Sequence, residues 1–272
     1  MSEYVDVARR GPSAAFFDLD RTLISGSSAF TLALAARSMD LMPVHELVRD
    51  ALSAATFKFR GDHDDGASDK VRDRILGFVS GRRQDDLMAL NEHVLPVLLG
   101  KIRPEARRLL DVHHRAGRAT FIVSAAPAEI VEPLAIALGM TAGIGTRSAV
   151  VDGVYTGELD GPFCYGQGKV DAIAEIARFD GFELQQCYAY SDSASDLPML
   201  SAVGHPVAVN PDAKLERHAR RHGWPIVHFS QRTKTVIRRT MAGVVTVVIA
   251  GTSMAVGIEI GARRRPSVLR RR

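Results

Sequence analysis

Short apolar runs that break off at acidic or hydroxyl residues alternate along this chain with segments of helical period. That alternation limits the fold more than any other feature. AAFF from Ala14 stops at Asp18, RATFIV stops at Ser124, QCYAYS stops at Asp192, and HPVAV from His205 runs into Asn210 and Pro211. Between them lie PEARRLLDVHHRAG, PAEIVEPLAIALG and GKVDAIAEIARF, each with the spacing of a helix that buries one face. Strand-helix alternation predicts an α/β chain whose parallel sheet carries helices on both faces, with ligands at the carboxyl ends of the strands. RSAVVDGVYTGEL reads as a hairpin turning at Asp152-Gly153, either a small flap or an extension of the sheet.

From residue 28 to 101 the pattern changes to FTLALAARSMDLM, HELVRDALSAATFKF, DKVRDRILGFVSG and DDLMALNEHVLPVLL, all helical in period. The interval reads as a helical insertion. It divides the chain into a core of residues 1–27 and 102–230, an inserted domain of 28–101 and a tail of 231–272.

Composition matters mainly for the tail. Apolar residues make up 46% of the 272 and charged residues 24%, which excludes a disordered chain and a polytopic membrane protein. The net charge of +4 hides an asymmetry: residues 231–272 hold ten Lys and Arg against the single acid Glu259, which leaves 25 basic and 30 acidic residues on 1–230. The basic character therefore belongs to the tail, where it supports salt-sensitive contacts and no specific nucleic-acid reader. Within the tail, residues 241–258 carry no charge, and as a helix they would run about 27 Å, close to a hydrocarbon core. With arginines on both sides to contact anionic headgroups, the segment is expected to be a transmembrane or membrane-embedded helix, with a docked helix or a surface amphipathic one as the other readings. The N-terminus lacks the apolar stretch of a signal peptide, so the body is expected on the cytoplasmic side, at the inner face of the cell membrane. Cys164 and Cys187 read as core thiols, and the scattered histidines as unsuited to zinc.

The polar groups at the strand ends are Asp18 with Asp20, Ser124, Lys169, and Asp192 with Asp196. An Asp pair in a loop also makes an ordinary turn or helix cap. The joint order is the informative feature: DxDxT, then SAA, then GK opening a helix, then SDSxxDLPML. GQGKV is not a nucleotide phosphate loop, because GxxxxGK[ST] is absent. In that order and at those separations, from about Ala14 to Phe229, the chain resembles the haloacid dehalogenase superfamily, in the branch that contains phosphoserine phosphatase.

The resemblance implies a Rossmann-like sheet, an all-helical cap at 28–101, and a phosphomonoester phosphatase. A phosphomonoester dianion repels an anionic nucleophile until a cation and hydrogen-bond donors neutralise it. On the matching positions, Asp18 would be the nucleophile that forms an aspartyl-phosphate, and Asp20 the acid and base. Mg2+ would sit among the Asp18 carboxylate, the Asp20 carbonyl and Asp192. Ser124 and Lys169 would hold the phosphoryl oxygens, and Asp196 would orient Lys169 or a water. The chain departs from the branch at two places near the nucleophile: Arg21 follows DxD, and Ser27 stands where a Glu would grip the substrate ammonium. Phosphoserine is therefore expected to be a poor substrate, with a small phosphorylated metabolite or a lipid phosphate in its place. Arg21 would add positive charge near the phosphate or point to solvent, and Arg72 of the cap would bind a substrate anion or lie solvated. A sensor of a phosphorylated ligand on the same fold, or a phosphotransferase, are the other readings these motifs admit.

Overall fold

The computed structural model describes residues 13–38 and 67–229. The chain opens with strand β1 (Ala14–Phe17) and continues through helices α1 (Ser28–Ser38), α2 (Ala67–Val79), α3 (Gln84–Ala89), α4 (Asn91–Gly100) and α5 (Pro104–Arg115). Next come β2 (Ala119–Pro127), α6 (Ala128–Ala137), β3 (Ala142–Thr146), β4 (Ser148–Val151) and β5 (Val154–Leu159). The last stretch holds α7 (Gln167–Asp180), β6 (Tyr188–Ser191), α8 (Leu197–Ala202), β7 (His205–Val209), α9 (Ala213–His222) and β8 (Ile226–Val227).

Six strands form one parallel sheet in the order β3-β2-β1-β6-β7-β8, the α/β architecture expected from the alternation. β1 lies inside, paired with β2 on one side and β6 on the other. Chain connections lead from β1 toward β2 and from β6 toward β7, in opposite directions. The cleft between the carboxyl ends of β1 and β6 is thus the topological switch point, where an open α/β sheet places its ligand.

A strand covered on both faces must be apolar at every position, and all four residues of β1 are buried. Ala15 and Phe17 face a core layer with Ile122, Leu110 and Leu134; Ala14 and Phe16 face a second layer with Phe121, Ile173 and Leu215. Phe17 stacks on Tyr190 of β6, with centroids 4.5 Å apart and planes 6° from parallel, and Phe16 stacks on Phe121 of β2 at 5.5 Å. Each buried Phe contributes about 2–3 kcal/mol. The two rings thus fix the strand whose next residue is Asp18.

The described part of 28–101 is helical, with the stretch read as one helix over 85–99 divided at Leu90 into α3 and α4. The segment HELVRDALSAATFKF lies outside the described residues. The chain leaves and re-enters the sheet region side by side: Ser25 N–H donates to the Lys101 carbonyl and Arg103 N–H to the Leu23 carbonyl, both at 2.9 Å. The hairpin β4–β5 turns at Asp152 and Gly153, with φ of 51° and 76°. Of its two expected roles it is not an extension of the main sheet, since it forms a two-stranded sheet of its own. It is bound instead to the α2–α3 junction through Gly81 N–H to Tyr155 O, Tyr155 N–H to Arg82 O and Gln84 N–H to Gly153 O. Both cysteines are buried and unpaired. Among the described residues no helix is long and apolar enough to cross a membrane, and the uncharged segment 241–258 lies outside them.

Candidate active site

After β1 the chain makes a wide turn over Leu19–Leu23, closed by Ile24 N–H donating to the Leu19 carbonyl at 3.1 Å. Inside it Asp20 is extended and Arg21 is left-handed, with φ 62° and ψ −8°. Asp18 stays at the strand tip, 8% exposed, its N–H donating to the Tyr190 carbonyl at 2.9 Å. Asp20 turns toward the insertion, and its Oδ1 accepts the N–H of Ser28, the first residue of α1, at 2.7 Å. Ser27 caps that helix, its carbonyl accepting the Thr31 N–H, and no carboxylate stands at this position.

Lys169 enters from the first turn of α7. Its Nζ donates to Asp18 Oδ1 at 2.7 Å and to Asp196 Oδ2 at 2.8 Å, with all three side chains nearly sealed from water. Gly168 permits this approach, because a Cβ there would run into the Phe163 carbonyl. Asp196 also accepts the Ser191 hydroxyl at 2.7 Å, so two donors hold the oxygen that holds the lysine. Ser124 lies where the β2–β3 register shifts between Val123 and Pro127; it is 4% exposed, and its Oγ accepts the Ala126 N–H at 3.2 Å. Asp192 follows β6, and Arg21 Nε lies 2.7 Å from its Oδ2.

Burial sets the protonation pattern. It pushes the Asp18 carboxyl up to about 7, with Lys169 pulling it down and Asp196 adding to the rise. Asp192 is pushed up to about 8, chiefly by burial and next by the negative charge of Asp18, with Arg21 opposing. Asp20 is also raised by burial, the Ser28 N–H counteracting. Burial alone would weaken the hold of Lys169 on its proton; the carboxylates of Asp18 and Asp196 more than reverse this, so it remains an ammonium. The cluster thus holds more acid than its two cations balance, which is the condition for binding a further hard cation through oxygen. Among the described residues no three His, Cys, Asp or Glu side chains gather as a metal cluster. A divalent cation here would therefore draw on the Asp18 and Asp192 carboxylates and a main-chain carbonyl. That hard-oxygen donor set fits Mg2+ better than zinc.

The expected residues are not all brought together. Asp18, Lys169 and Asp196 are in direct contact, and Arg21 with Asp192 joins them at the same strand ends. Arg72 is not brought there: its guanidinium bonds Asp69 at 2.9 Å and Asp73 at 3.1 Å along its own helix. Sequence reasoning missed three supports. Ser191 bonds Asp196. Cys164 is buried with its thiol donating to the Ile144 carbonyl at 3.6 Å, and burial pushes that thiol up to about 11. Asp212 caps α9 through Lys214 N–H and Leu215 N–H and accepts Ala194 N–H at 2.8 Å, bracing the loop that carries Asp192. Only Asp212 had a visible signal, an Asp just ahead of a helical run.

A family model for haloacid dehalogenase-like hydrolases matches residues 15–201. A probable phosphatase of Mycobacterium tuberculosis is 38% identical over 253 residues, covering 92% of this chain and 86% of that protein. A phosphoserine phosphatase of the same organism is 39% identical over 220 residues, covering 80% of this chain and 71% of that protein. Among solved structures, a Bordetella pertussis protein of unknown function superposes with a TM-score of 0.70 at 28% identity, covering 80% of this chain and 99% of that one.

Proposed function

The chain belongs to the haloacid dehalogenase-like hydrolases, and from that premise we propose a phosphoric monoester hydrolase that works through an aspartyl-phosphate on Asp18. The observation that carries this reading is the Lys169 ammonium held between Asp18 and Asp196 at the sheet's switch point. An Asp fixed at a strand tip beside a permanent cation is arranged to attack an anion it would otherwise repel.

In the first step an Asp18 carboxylate oxygen attacks phosphorus, the bond from phosphorus to the ester oxygen breaks, and Asp20 gives that oxygen its proton. Burial raises Asp20 above an ordinary carboxyl, as an acid in this role requires. In the second step Asp20, now a carboxylate, takes a proton from a water that attacks the phosphorus. Inorganic phosphate leaves, and both carboxyl groups return to their starting states. Lys169 and Ser124 hold the phosphoryl oxygens, and Asp196 with Ser191 keeps Lys169 in place. Mg2+, when bound by Asp18, Asp192 and the Asp20 carbonyl, supplies positive charge to the phosphoryl group.

The substrate is a phosphomonoester other than phosphoserine, a small phosphorylated metabolite or a lipid phosphate. This follows from Ser27, which offers a substrate ammonium no carboxylate. The relative named a phosphoserine phosphatase makes the point directly testable. The tail, with its ten basic residues and the uncharged run 241–258, brings the enzyme to an anionic membrane surface on the cytoplasmic side.

The test is phosphate release by the full chain from a panel including phosphoserine and lysophosphatidic acid, with Mg2+ or with chelator. Release that needs Mg2+, and that is weak on phosphoserine, is expected; strong phosphoserine turnover would overturn the substrate reading. Fractionation of the full chain beside one ending at Arg239 tests the tail: equal distribution of the two overturns the membrane role.

A further inference from the structure

We propose that Arg21 is a built-in counter-ion of Asp192 that a divalent cation must displace, so that this arginine sets how tightly the site takes its metal. The inference rests on the reading that Asp18, Asp20 and Asp192 hold such a cation.

The backbone of Arg21 is held in an unfavourable region. Among the described non-glycine residues only Arg21, Asp152 and Asn210 have positive φ, and Asp and Asn tolerate that region where a long side chain does not. Arg21 is kept there by its N–H donating to the Gly26 carbonyl at 3.1 Å, and the resulting turn returns its side chain to Asp192. A left-handed arginine is an unfavourable choice for a turn, and the ion pair it makes is the compensation the structure offers.

The two cations at the strand ends differ in freedom. Lys169 is 3% exposed and is bonded to Asp18 and Asp196, so it has nowhere else to go. The side chain of Arg21 is 51% exposed while that of Asp192 is 6% exposed. Its guanidinium can swing into water at small cost, whereas the carboxylate cannot follow. Arg21 Nε at 2.7 Å from Oδ2 occupies one of the two oxygens through which Asp192 would ligate a cation. Two positive groups then share one buried carboxylate, and each weakens the hold of the other.

The test is calorimetric titration of the full chain with Mg2+ alone, for the unaltered protein, Arg21→Asn, Arg21→Lys and Asp192→Asn. Asparagine is chosen because it tolerates the left-handed backbone. Arg21→Asn is expected to bind Mg2+ about threefold to tenfold more tightly and to melt lower without Mg2+ but recover further with it. Arg21→Lys is expected to fall between, since it keeps the charge and loses the planar fork, and Asp192→Asn is expected to lose most of the binding. A merely structural arginine would not improve affinity when removed. Equal or weaker binding by Arg21→Asn would overturn this proposal alone. Absence of Mg2+ binding by both the unaltered protein and Arg21→Asn would overturn the metal reading, and this proposal with it.

Discussion

Lys169 lies 2.7 Å from Asp18 although 151 positions separate them in the chain. The contact is made because β1 is an inner strand whose tip faces the first turn of α7. Removing one partner of a buried pair costs about 3–5 kcal/mol, because the other charge is left uncompensated. Lys169→Met is therefore expected to abolish turnover and to lower stability by about that amount at pH 8. At pH 6 the loss is smaller, since Asp18, already raised to about 7, escapes the penalty by taking a proton. Urea melts at the two pH values check this; equal losses at both would contradict it.

The pH dependence of the metal-free protein follows from the same burial. Asp18 and Asp192 ordinarily titrate near 3.8, and in the folded chain they rise to about 7 and about 8. Between those limits the folded state holds protons that the unfolded state has released, so stability falls as pH rises. His113 acts in the opposite direction lower down. Burial pulls it from 6.5 to about 4, so the unfolded chain binds the extra proton there and stability rises with pH. The two effects oppose each other below pH 6.5, and a net decline of roughly 1–3 kcal/mol is expected from pH 6.5 to 8. Added Mg2+ should flatten it by favouring the ionised carboxylates. Thermal melts across that range, with Mg2+ and with chelator, read both slopes.

The Asp20 carboxylate is aimed by a main-chain donor, which suggests an unusual substitution. Ser28→Pro places proline at the first position of α1, where a helix accepts it, yet removes the N–H that bonds Asp20 at 2.7 Å. We expect kcat to fall about tenfold or more with helix content unchanged. An unaltered kcat would mean that this bond does not position the acid.

Phe17→Ala removes the ring that stacks on Tyr190 directly behind Asp18. A loss of about 3–5 kcal/mol is expected by denaturant melt, with Phe17→Leu costing less. A cost under 1 kcal/mol would show that the strand is held elsewhere.

The inner strands and the residues at their carboxyl ends were legible in the sequence because an apolar run that breaks off at a polar residue marks where a buried strand stops. β1, β2, β6 and β7 all announced themselves in this way. β3 did not. Its AGIGT is poor in apolar side chains because α6 packs so closely that a Cβ at Gly143 would meet the Val131 carbonyl, and one at Gly145 would meet the backbone of Ala128. β8 is two residues long, too short for any period to register. At the site, Asp18, Lys169 and Asp196 could be named from motif order. The Arg21–Asp192 pair could not, since it depends on a left-handed turn that arginine rarely adopts. Arg72 shows the converse: a cap arginine that looks like an anion ligand in sequence is bonded by Asp69 and Asp73 of its own helix.

The most direct test of the central claim is to capture the phosphorylated enzyme. The full chain is mixed with Mg2+ and the best substrate of the panel, quenched in acid within the first turnover, and its intact mass and peptides are measured beside Asp18→Asn. The account predicts a phosphate-mass adduct that maps to the peptide containing Asp18, is sensitive to hydroxylamine, and is absent from the variant, whose turnover falls by about three orders of magnitude or more. Normal turnover by Asp18→Asn, or an adduct on any other residue, would contradict it.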